Sequence, residues 1–390
     1  MFRICRFAEL LKLLPRGQLN QAIEQHQAEE NTKSFTGWRH LVAMVYLQLS
    51  GQKTLRTLEQ GFNAQSSHHY HLDCQAVHRS TLAEANANER RAKAFEQFAK
   101  QLMGQLPRKL AAEGQELMRL LDSSSITLRG RKYDEWVKHT RTKRARGIKL
   151  HMLLGIPEQV PLAASITAAN VNDIEYASQL ELESGVIYVF DKGYCSYSWW
   201  WKIEQTASRF VTRFKHNAKL EVLEQCRIAQ NARHSILKDE RVRFANKHPG
   251  GKRRNPYTGV MRRIEVAREG KPPLVLATND LKSSAMKIAE RYKARWQIEL
   301  FFKWIKQHLC IKRFVGESYS AVRVQLFTAL IAYLMVWMYA KANNIKTSLW
   351  LLLAELSSTL FQRPQLERAR HQRWREQRSD FLSRQAAIFT

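Results

Sequence analysis

The chain is short of acid. Its 390 residues hold 35 Asp and Glu against 63 Lys and Arg, a net charge of +28. A small part of that surplus would keep a protein in solution. An excess this large implies a polyanionic partner, with nucleic acid ahead of an anionic membrane surface. Cysteine is scarce too. Cys5, Cys74, Cys195, Cys226 and Cys310 are odd in number, scattered, and contain no C-x-x-C pair. That excludes a disulfide framework and suits a reducing compartment. Long apolar runs are nearly absent. Residues 1–16 are interrupted by Arg3, Arg6 and Lys12, so the uninterrupted stretch of a signal peptide is missing. Residues 324–340 alone raise a membrane question; they are short for a span and carry Gln325, so a buried core helix is expected. No internal repeat or low-complexity tract occurs. What is present is apolar residue in quantity, 44% of the chain, enough for a packed core over its length. That length suits two or three domains.

Residues 1–110 read as an all-helical DNA-binding domain. Trp38, Leu41, Val42, Val45 and Leu49 have helical spacing. Ser50-Gly51 breaks that helix, and residues 53–62 resume it with Leu55 and Leu58, as in a helix-turn-helix. Thr81-Leu-Ala-Glu84 is a capping box and predicts a third helix carrying Asn86, Asn88, Arg90 and Arg91 on exposed faces. Asn and Arg are the side chains that read adenine and guanine edges. A plain helical bundle with a solvated face is the competing reading.

After Gly114 the pattern becomes α/β. Strands are expected at 117–128, 147–155 and 160–168, a helix at 173–183, a strand at 185–190, a helix at 196–205 and a strand at 209–214. Three strands, helix, strand, helix, strand is the order of a ribonuclease-H-like fold. The expected catalytic core spans 115–214 and 280–345. Residues 215–279 form a strand-rich insertion with strands at 235–244, 261–268 and 274–278. Residues 346–390 form a helical, basic C-terminal region.

Asp122 falls within or just after the first strand of this core. Asp191 follows the fourth directly, in Val-Phe-Asp191-Lys-Gly193-Tyr194. A carboxylate ending a buried strand is costly unless it meets a cation, and Mg²⁺ prefers such oxygen ligands. Gly193 would permit the turn that frees Asp191 from the sheet. Alone, either Asp could be a helix cap or a turn residue. A third piece is more specific. Tyr292, Arg295, Glu299 and Lys306, spaced by three, four and seven residues, share one narrow stripe of a helix. Ile298, Phe301, Phe302, Ile305 and Leu309 form the neighbouring apolar stripe, so the polar one would lie at the rim of the core. Glu299 supplies a carboxylate, and Tyr292, Arg295 and Lys306 can contact phosphates. An ordinary i,i+4 ion pair of Arg295 with Glu299 is the bland alternative.

Tyr292-x-x-Arg295-x-x-x-Glu299 with Lys306 resembles the signature of the insertion-sequence-four family of bacterial DDE transposases, to which the Tn-five transposase is related. The resemblance extends to Trp296, to Asp191-Lys-Gly-Tyr, to Asp122-Ser-Ser, and to the N-terminal stretch from Trp38-Arg-His through Arg79-Ser-Thr-Leu-Ala-Glu-Ala-Asn. It implies that Asp122, Asp191 and Glu299 bind two divalent ions, Mg²⁺ or Mn²⁺, that cut element ends and join them to target DNA. It further implies a hairpin intermediate assisted by the insertion, and Trp296 stacking near a flipped base. The partners would be double-stranded DNA, both terminal inverted repeats and target, bound by a homodimer on paired ends in the bacterial cytoplasm, with no membrane. One departure stands out: related enzymes place a Trp in the insertion, yet residues 202–295 contain none, which leaves Phe244 or Tyr257 as substitutes. A domesticated DNA-binding protein without activity, or a nuclease on the same fold, are the competing functions.

Three further groups draw notice. His68, His69, His71, Cys74 and His78 could form a zinc site, though no paired Cys spacing supports it. Arg129, Arg131, Lys132, Lys138, Arg141, Lys143, Arg144, Arg146 and Lys149 form a basic stretch expected to face the DNA backbone. Trp199-Trp200-Trp201 reads as core rather than a stacking platform.

Overall fold

A computed structural model describes residues 4–30, 34–105, 116–128, 130, 133, 136, 147–245, 255–311 and 313–363. The chain divides into two compact units, residues 1–102 with 304–390, and residues 103–303.

The first unit is helical. Its helices are α1 (Arg6–Leu11), α2 (Arg16–Gln25), α3 (Gly37–Ser50), α4 (Leu55–Asn63), α5 (His69–Leu72), α6 (Arg79–Ala87) and α7 (Glu89–Gln105), joined later in the chain by α12 (Tyr319–Ala342) and α13 (Leu349–Thr359). Buried α3 packs on buried α12 at the centre. Gly51 ends α3 at φ 68°, a left-handed cap that glycine adopts at no steric cost. The apolar stretch at 324–340 is a core helix, as expected. Gln325 is fully buried, accepting from the Val315 N–H at 2.9 Å and donating to the Arg313 carbonyl at 2.9 Å, so it ties the loop ahead of α12 to the helix. A buried amide is tolerated when its hydrogen bonds are made.

The expected recognition helix is corrected. Asn88 is extended (ψ 116°) and breaks the helix in two, which resets the phase of its faces. Asn86, ahead of that break, lies on the face of α6 that carries Leu82 and Ala85 and is buried, its Oδ1 2.9 Å from His40 Nε2. Arg91 is buried as well, donating to the main-chain oxygens of Ala28, Phe35 and Thr36. Asn88 Oδ1 accepts from the Arg91 N–H at 3.1 Å, and exposed Arg90 pairs with Glu30. Asn86 and Arg91 hold helices and loop together and do not stand on an exposed face.

The second unit is built on one nine-stranded sheet. Its strands are β1 (Met118–Thr127), β2 (Gly147–Ile156), β3 (Val160–Ala168), β4 (Ile187–Phe190), β5 (Arg209–Arg213), β6 (Leu220–Gln225), β7 (Ile236–Phe244), β8 (Met261–Val266) and β9 (Leu274–Thr278), in the order β3-β2-β1-β4-β5-β9-β8-β7-β6. β1, β2 and β3 pair antiparallel, whereas β4 lies parallel to β1 and β5 parallel to β4. Helix α8 (Asp173–Gln179) precedes β4, and α9 (Tyr197–Gln205) links β4 to β5, giving the expected order of three strands, helix, strand, helix, strand. Trp199 and Trp200 of α9 are buried, with ring centroids 4.6 Å from Phe190 and 4.9 Å from Phe210; they are core, as their sequence suggested. The strands of 215–279 do not stand apart from this sheet: β9 pairs antiparallel with β5 and carries the sheet on to β6. β6 escaped notice because it is an edge strand, exposed on almost every residue and rich in Glu, with no apolar alternation to reveal it.

Helices α10 (Ala285–Ala294) and α11 (Trp296–His308) follow β9. Arg291 of α10 is buried and donates to Asp280 Oδ2 at 2.6 Å and to Glu116, just before β1, at 2.6 and 2.9 Å. Asp280 is buried, and its carboxyl sits well below the usual range because hydrogen bonds from Ser283, Arg291 and Lys282 outweigh desolvation. This ion cluster joins the start of β1, the end of β9 and α10, which between them set where the candidate site residues fall. Arg291→Met would leave buried Asp280 with Arg209 as its counter-ion, at 3.1 Å, and would cut its link to Glu116. The expected loss is about 1–3 kcal/mol of stability in a urea titration of the full chain; a loss under about 0.5 kcal/mol would mean the cluster is not structural.

Candidate active site

Asp122 sits in the middle of β1 and Asp191 immediately follows β4. The parallel register pairs Leu121 with Phe190, so the two Asp residues occupy adjacent positions on neighbouring strands. Neighbouring strands are about 4.8 Å apart, which puts both carboxylates within reach of one small cation or of each other. Fully apolar β4, Ile-Tyr-Val-Phe, drives into the core and leaves Asp191 at its end, half-buried.

Glu299 arrives on α11. The single helix expected for the Tyr292–Lys306 stripe is broken at Arg295, where i→i+3 bonds (Arg295 N–H to Tyr292 O, 3.1 Å; Ile298 N–H to Arg295 O, 3.2 Å) separate α10 from α11. The stripe survives the break because Arg295 keeps helical φ and ψ. The i,i+4 pair offered by the sequence forms, Arg295 donating to Glu299 Oε1 at 2.6 Å, and the same side chain also donates to Asp122 Oδ2 at 3.2 Å, which the sequence did not reveal, so it bridges two of the three acids. Tyr292 donates its hydroxyl to Asp191 Oδ1 at 3.3 Å. Lys306 lies on the same helix, seven residues beyond Glu299.

Arg213, at the end of β5, was missed. It donates through two nitrogens to Asp191 Oδ1, at 2.6 and 3.1 Å. A signal existed: β5 is parallel to β4, so the ends of both strands reach the same edge of the sheet. Also unforeseen is Asp173, at the first position of α8, which the sequence marked only as the start of a helix. Ser123 and Lys149 donate to its Oδ1 at 2.9 and 3.1 Å. Lys149, expected on a DNA-facing surface, is thus half-buried and spends its ammonium on Asp173 and on the Val171 carbonyl at 2.8 Å. The rest of the basic stretch, including Arg141, Lys143, Arg144 and Arg146, lies outside the described residues, as does most of the Arg-rich tail.

Electrostatics separate the two Asp residues. Burial pushes Asp122 up to about 6; the N–H of Ser123 and the Arg295 guanidinium oppose this, and Glu299 and Asp191 add to it. Asp191 is held below the usual range: burial works the other way, but the Lys192 N–H and Arg213 prevail. One carboxyl is poised to protonate beside another that stays ionised, as expected for acids crowded around a charge that only a cation satisfies.

Gly193 does not serve as anticipated. Its backbone is not left-handed; Asp191 leaves the sheet in extended conformation (φ −80°, ψ 166°) and a single 3-10 turn, Lys192–Tyr194, follows. Trp296 is 57% exposed beside Arg295, and Leu300, one turn on, is exposed as well. Neither aromatic residue offered in place of an insertion Trp is available to stack on DNA. Tyr257 is buried with its hydroxyl bonded to Glu204, and Phe244 packs at a centroid distance of 4.3 Å on Tyr197. The His-rich zinc candidate is not assembled either: His69 is buried with Nε2 3.0 Å from the Phe62 carbonyl, the Cys74 thiol faces the Leu72 carbonyl, and no three potential ligands converge among the described residues.

Asp122, Asp191 and Glu299 do not converge on one point either: Arg295 stands between Asp122 and Glu299. The donors nevertheless fit a hard divalent ion: three carboxylates, no sulfur or nitrogen, two of them fixed on adjacent strands. Beside Asp191 an open groove of about 830 Å³ is lined by Lys192, Arg213, Lys215, Arg263 and Arg268.

An acid within β1, a second just past the parallel strand β4 and a third on a later helix define a candidate carboxylate site on a mixed sheet. Residues 113–335 match the family described as Transposase DDE domain, and the chain belongs to that family. Residues 4–74 match a domain of unknown function. The chain is 42% identical to the transposase y4zB of Sinorhizobium fredii over 68% of its own length and 72% of the relative's. It is 27% identical to the transposase for insertion sequence element IS5377 of Geobacillus stearothermophilus, over 59% of this chain and 60% of that one. For the transposase of element IS4SA of Synechocystis the figures are 26%, 48% and 52%. These relatives agree with the insertion-sequence-four resemblance. A solved structure of a piggyBac transposase synaptic complex with hairpin DNA overlaps 91% of this chain and 79% of its own at a TM-score of 0.46 and 10% identity, too slight a likeness to carry an argument.

Divalent-ion binding to the trio requires Asp122 ionised. Affinity for Mn²⁺ should therefore be full above about pH 7 and fall as pH drops through about 6, Asp122 taking up the proton that the ion must displace. Electron paramagnetic resonance of free Mn²⁺ against pH measures this; an affinity unchanged down to about pH 4.5, where only ordinary carboxylates titrate, would place the ion elsewhere.

Proposed function

We propose that this DDE transposase binds the ends of its own element, cuts them by two-metal phosphoryl transfer with Asp122, Asp191 and Glu299 as ligands, and joins them to target DNA. The observation that carries the reading is the register of β1 and β4, which sets Asp122 beside Asp191, with Glu299 tied to Asp122 through Arg295. The five strands β3-β2-β1-β4-β5 serve as the ribonuclease-H-like core. Divalent ions held there supply Lewis acidity that activates water or a 3′-hydroxyl and stabilises the departing oxygen.

The chain's own residues do the positioning. Arg295 bridges Asp122 and Glu299, the acids that would hold the ions, and its fork is suited to a phosphate oxygen. Arg213 keeps Asp191 ionised. The basic groove of Lys215, Arg263 and Arg268 offers phosphate contacts leading to Asp191. Exposed Trp296 is placed to stack on an unpaired base during hairpin formation, in which the new 3′-hydroxyl attacks the opposite strand. Helices of the first unit choose the DNA ends, the active assembly is a homodimer on paired ends, and the setting is the bacterial cytoplasm beside the nucleoid. A domesticated, inactive DNA-binding protein is disfavoured because all three acids and their Tyr and Arg partners are in place.

Asp122→Ala, Asp191→Ala and Glu299→Ala should each abolish cleavage of element-end DNA while leaving its binding largely intact; cleavage at the native rate by any one of them would remove that residue from the site. Affinity should also fall steeply with salt, since about 6–10 phosphate contacts cost on the order of 10³–10⁵ between 50 and 200 mM salt. A flat titration would contradict backbone contact by the +28 charge.

A further inference from the structure

We propose that Asp173 is a positioning residue that fixes the placement of Asp122 and Asp191 from behind. The inference rests on the metal-ligand reading above. Asp173 touches the segment after each acid. Its Oδ1 accepts from Ser123 Oγ at 2.9 Å, and the Ser123 N–H in turn donates to Asp122 Oδ1 at 2.8 Å. Its Oδ2 lies 3.4 Å from where a Cβ on Gly193 would stand, in the single turn that follows Asp191. One carboxylate thus grips the strand that carries the first acid and faces the turn that follows the second.

Asp173 has its own counter-ion. Lys149 Nζ sits 3.1 Å from Oδ1 and is pinned from the other side by the Val171 carbonyl, so the charge of Asp173 is already met. His151 Nδ1 lies 3.8 Å away, but burial pushes that imidazole down to about 4, leaving it neutral near pH 7 with its Nε2 against Thr167 Oγ1. Lys149 is the cation that counts. A half-buried carboxylate locked by a hydroxyl and an ammonium is stiff, and stiffness behind a metal site is what second-layer partners contribute.

The test measures Mn²⁺ binding to the full chain by electron paramagnetic resonance, beside element-end DNA affinity and melting temperature. Asp173→Asn keeps the shape and removes the charge that holds Lys149. Mn²⁺ affinity should fall ~10–100-fold, with DNA affinity unchanged; a merely structural role would move the melting temperature and not the ion. Ser123→Ala removes one hydroxyl, should weaken Mn²⁺ less, and should cost little more when combined with Asp173→Asn. It carries the test should Asp173→Asn fail to fold. Native Mn²⁺ affinity in the folded variants, while Asp191→Ala still abolishes binding, overturns the role of Asp173 alone. Binding that survives Asp191→Ala overturns this proposal and the metal-ligand reading together.

Discussion

The geometry turns on two acids bridged by one guanidinium and a third, on the neighbouring strand, held by another. Asp122 and Asp191 are brought together by strand register, and like charges so close cannot both stay ionised without a counter-charge. Arg295 supplies it for Asp122 and Glu299, and Arg213 with Tyr292 supplies it for Asp191. Burial raises the carboxyl of Asp122, with Glu299 and Asp191 adding to it, and the Lys192 N–H and Arg213 lower that of Asp191, while the ion cluster of Arg291, Asp280 and Glu116 joins elements that bear the acids.

The arrangement also assigns the chain's surplus of positive charge to different tasks. Arg295, Arg213, Arg291 and Arg262 meet acids within the second unit, Arg262 by binding Asp239. Others, such as Lys192, Lys215 and Arg268, line the groove beside Asp191. A sequence count of charge cannot tell these apart, because a buried arginine in an ion pair and an exposed one awaiting phosphate are the same letter. Lys149 shows the point: read as part of a DNA-facing stretch, it is the counter-ion of Asp173.

Much of the second unit was legible beforehand. Apolar runs bounded by Gly and Ser located β1 to β5, since a buried strand leaves a short, dense hydrophobic signature. The spacing of Tyr292, Arg295 and Glu299 located the third acid, because helical period survives even across the break at Arg295. What was illegible depended on partners distant in sequence. β6 has no apolar alternation. Asn86 looked exposed although it shares the face of α6 that carries Leu82 and Ala85 and meets His40, and Arg91, beyond the break at Asn88, turns inward onto the main chain. Asp173 and Arg213 become meaningful only once strand order sets them beside Ser123 and Asp191. Such contacts are a property of topology, and residue spacing does not carry them.

The central claim is that Asp191 coordinates a catalytic divalent ion. Asp191→Cys exchanges an oxygen ligand for a thiolate, which binds Mn²⁺ better than it binds Mg²⁺. Cleavage of element-end DNA by this variant should vanish in Mg²⁺ and return in part in Mn²⁺, with DNA affinity unaltered in both. Equal activity in the two metals, or none in either while Asp191→Asn remains active, would contradict direct coordination by Asp191.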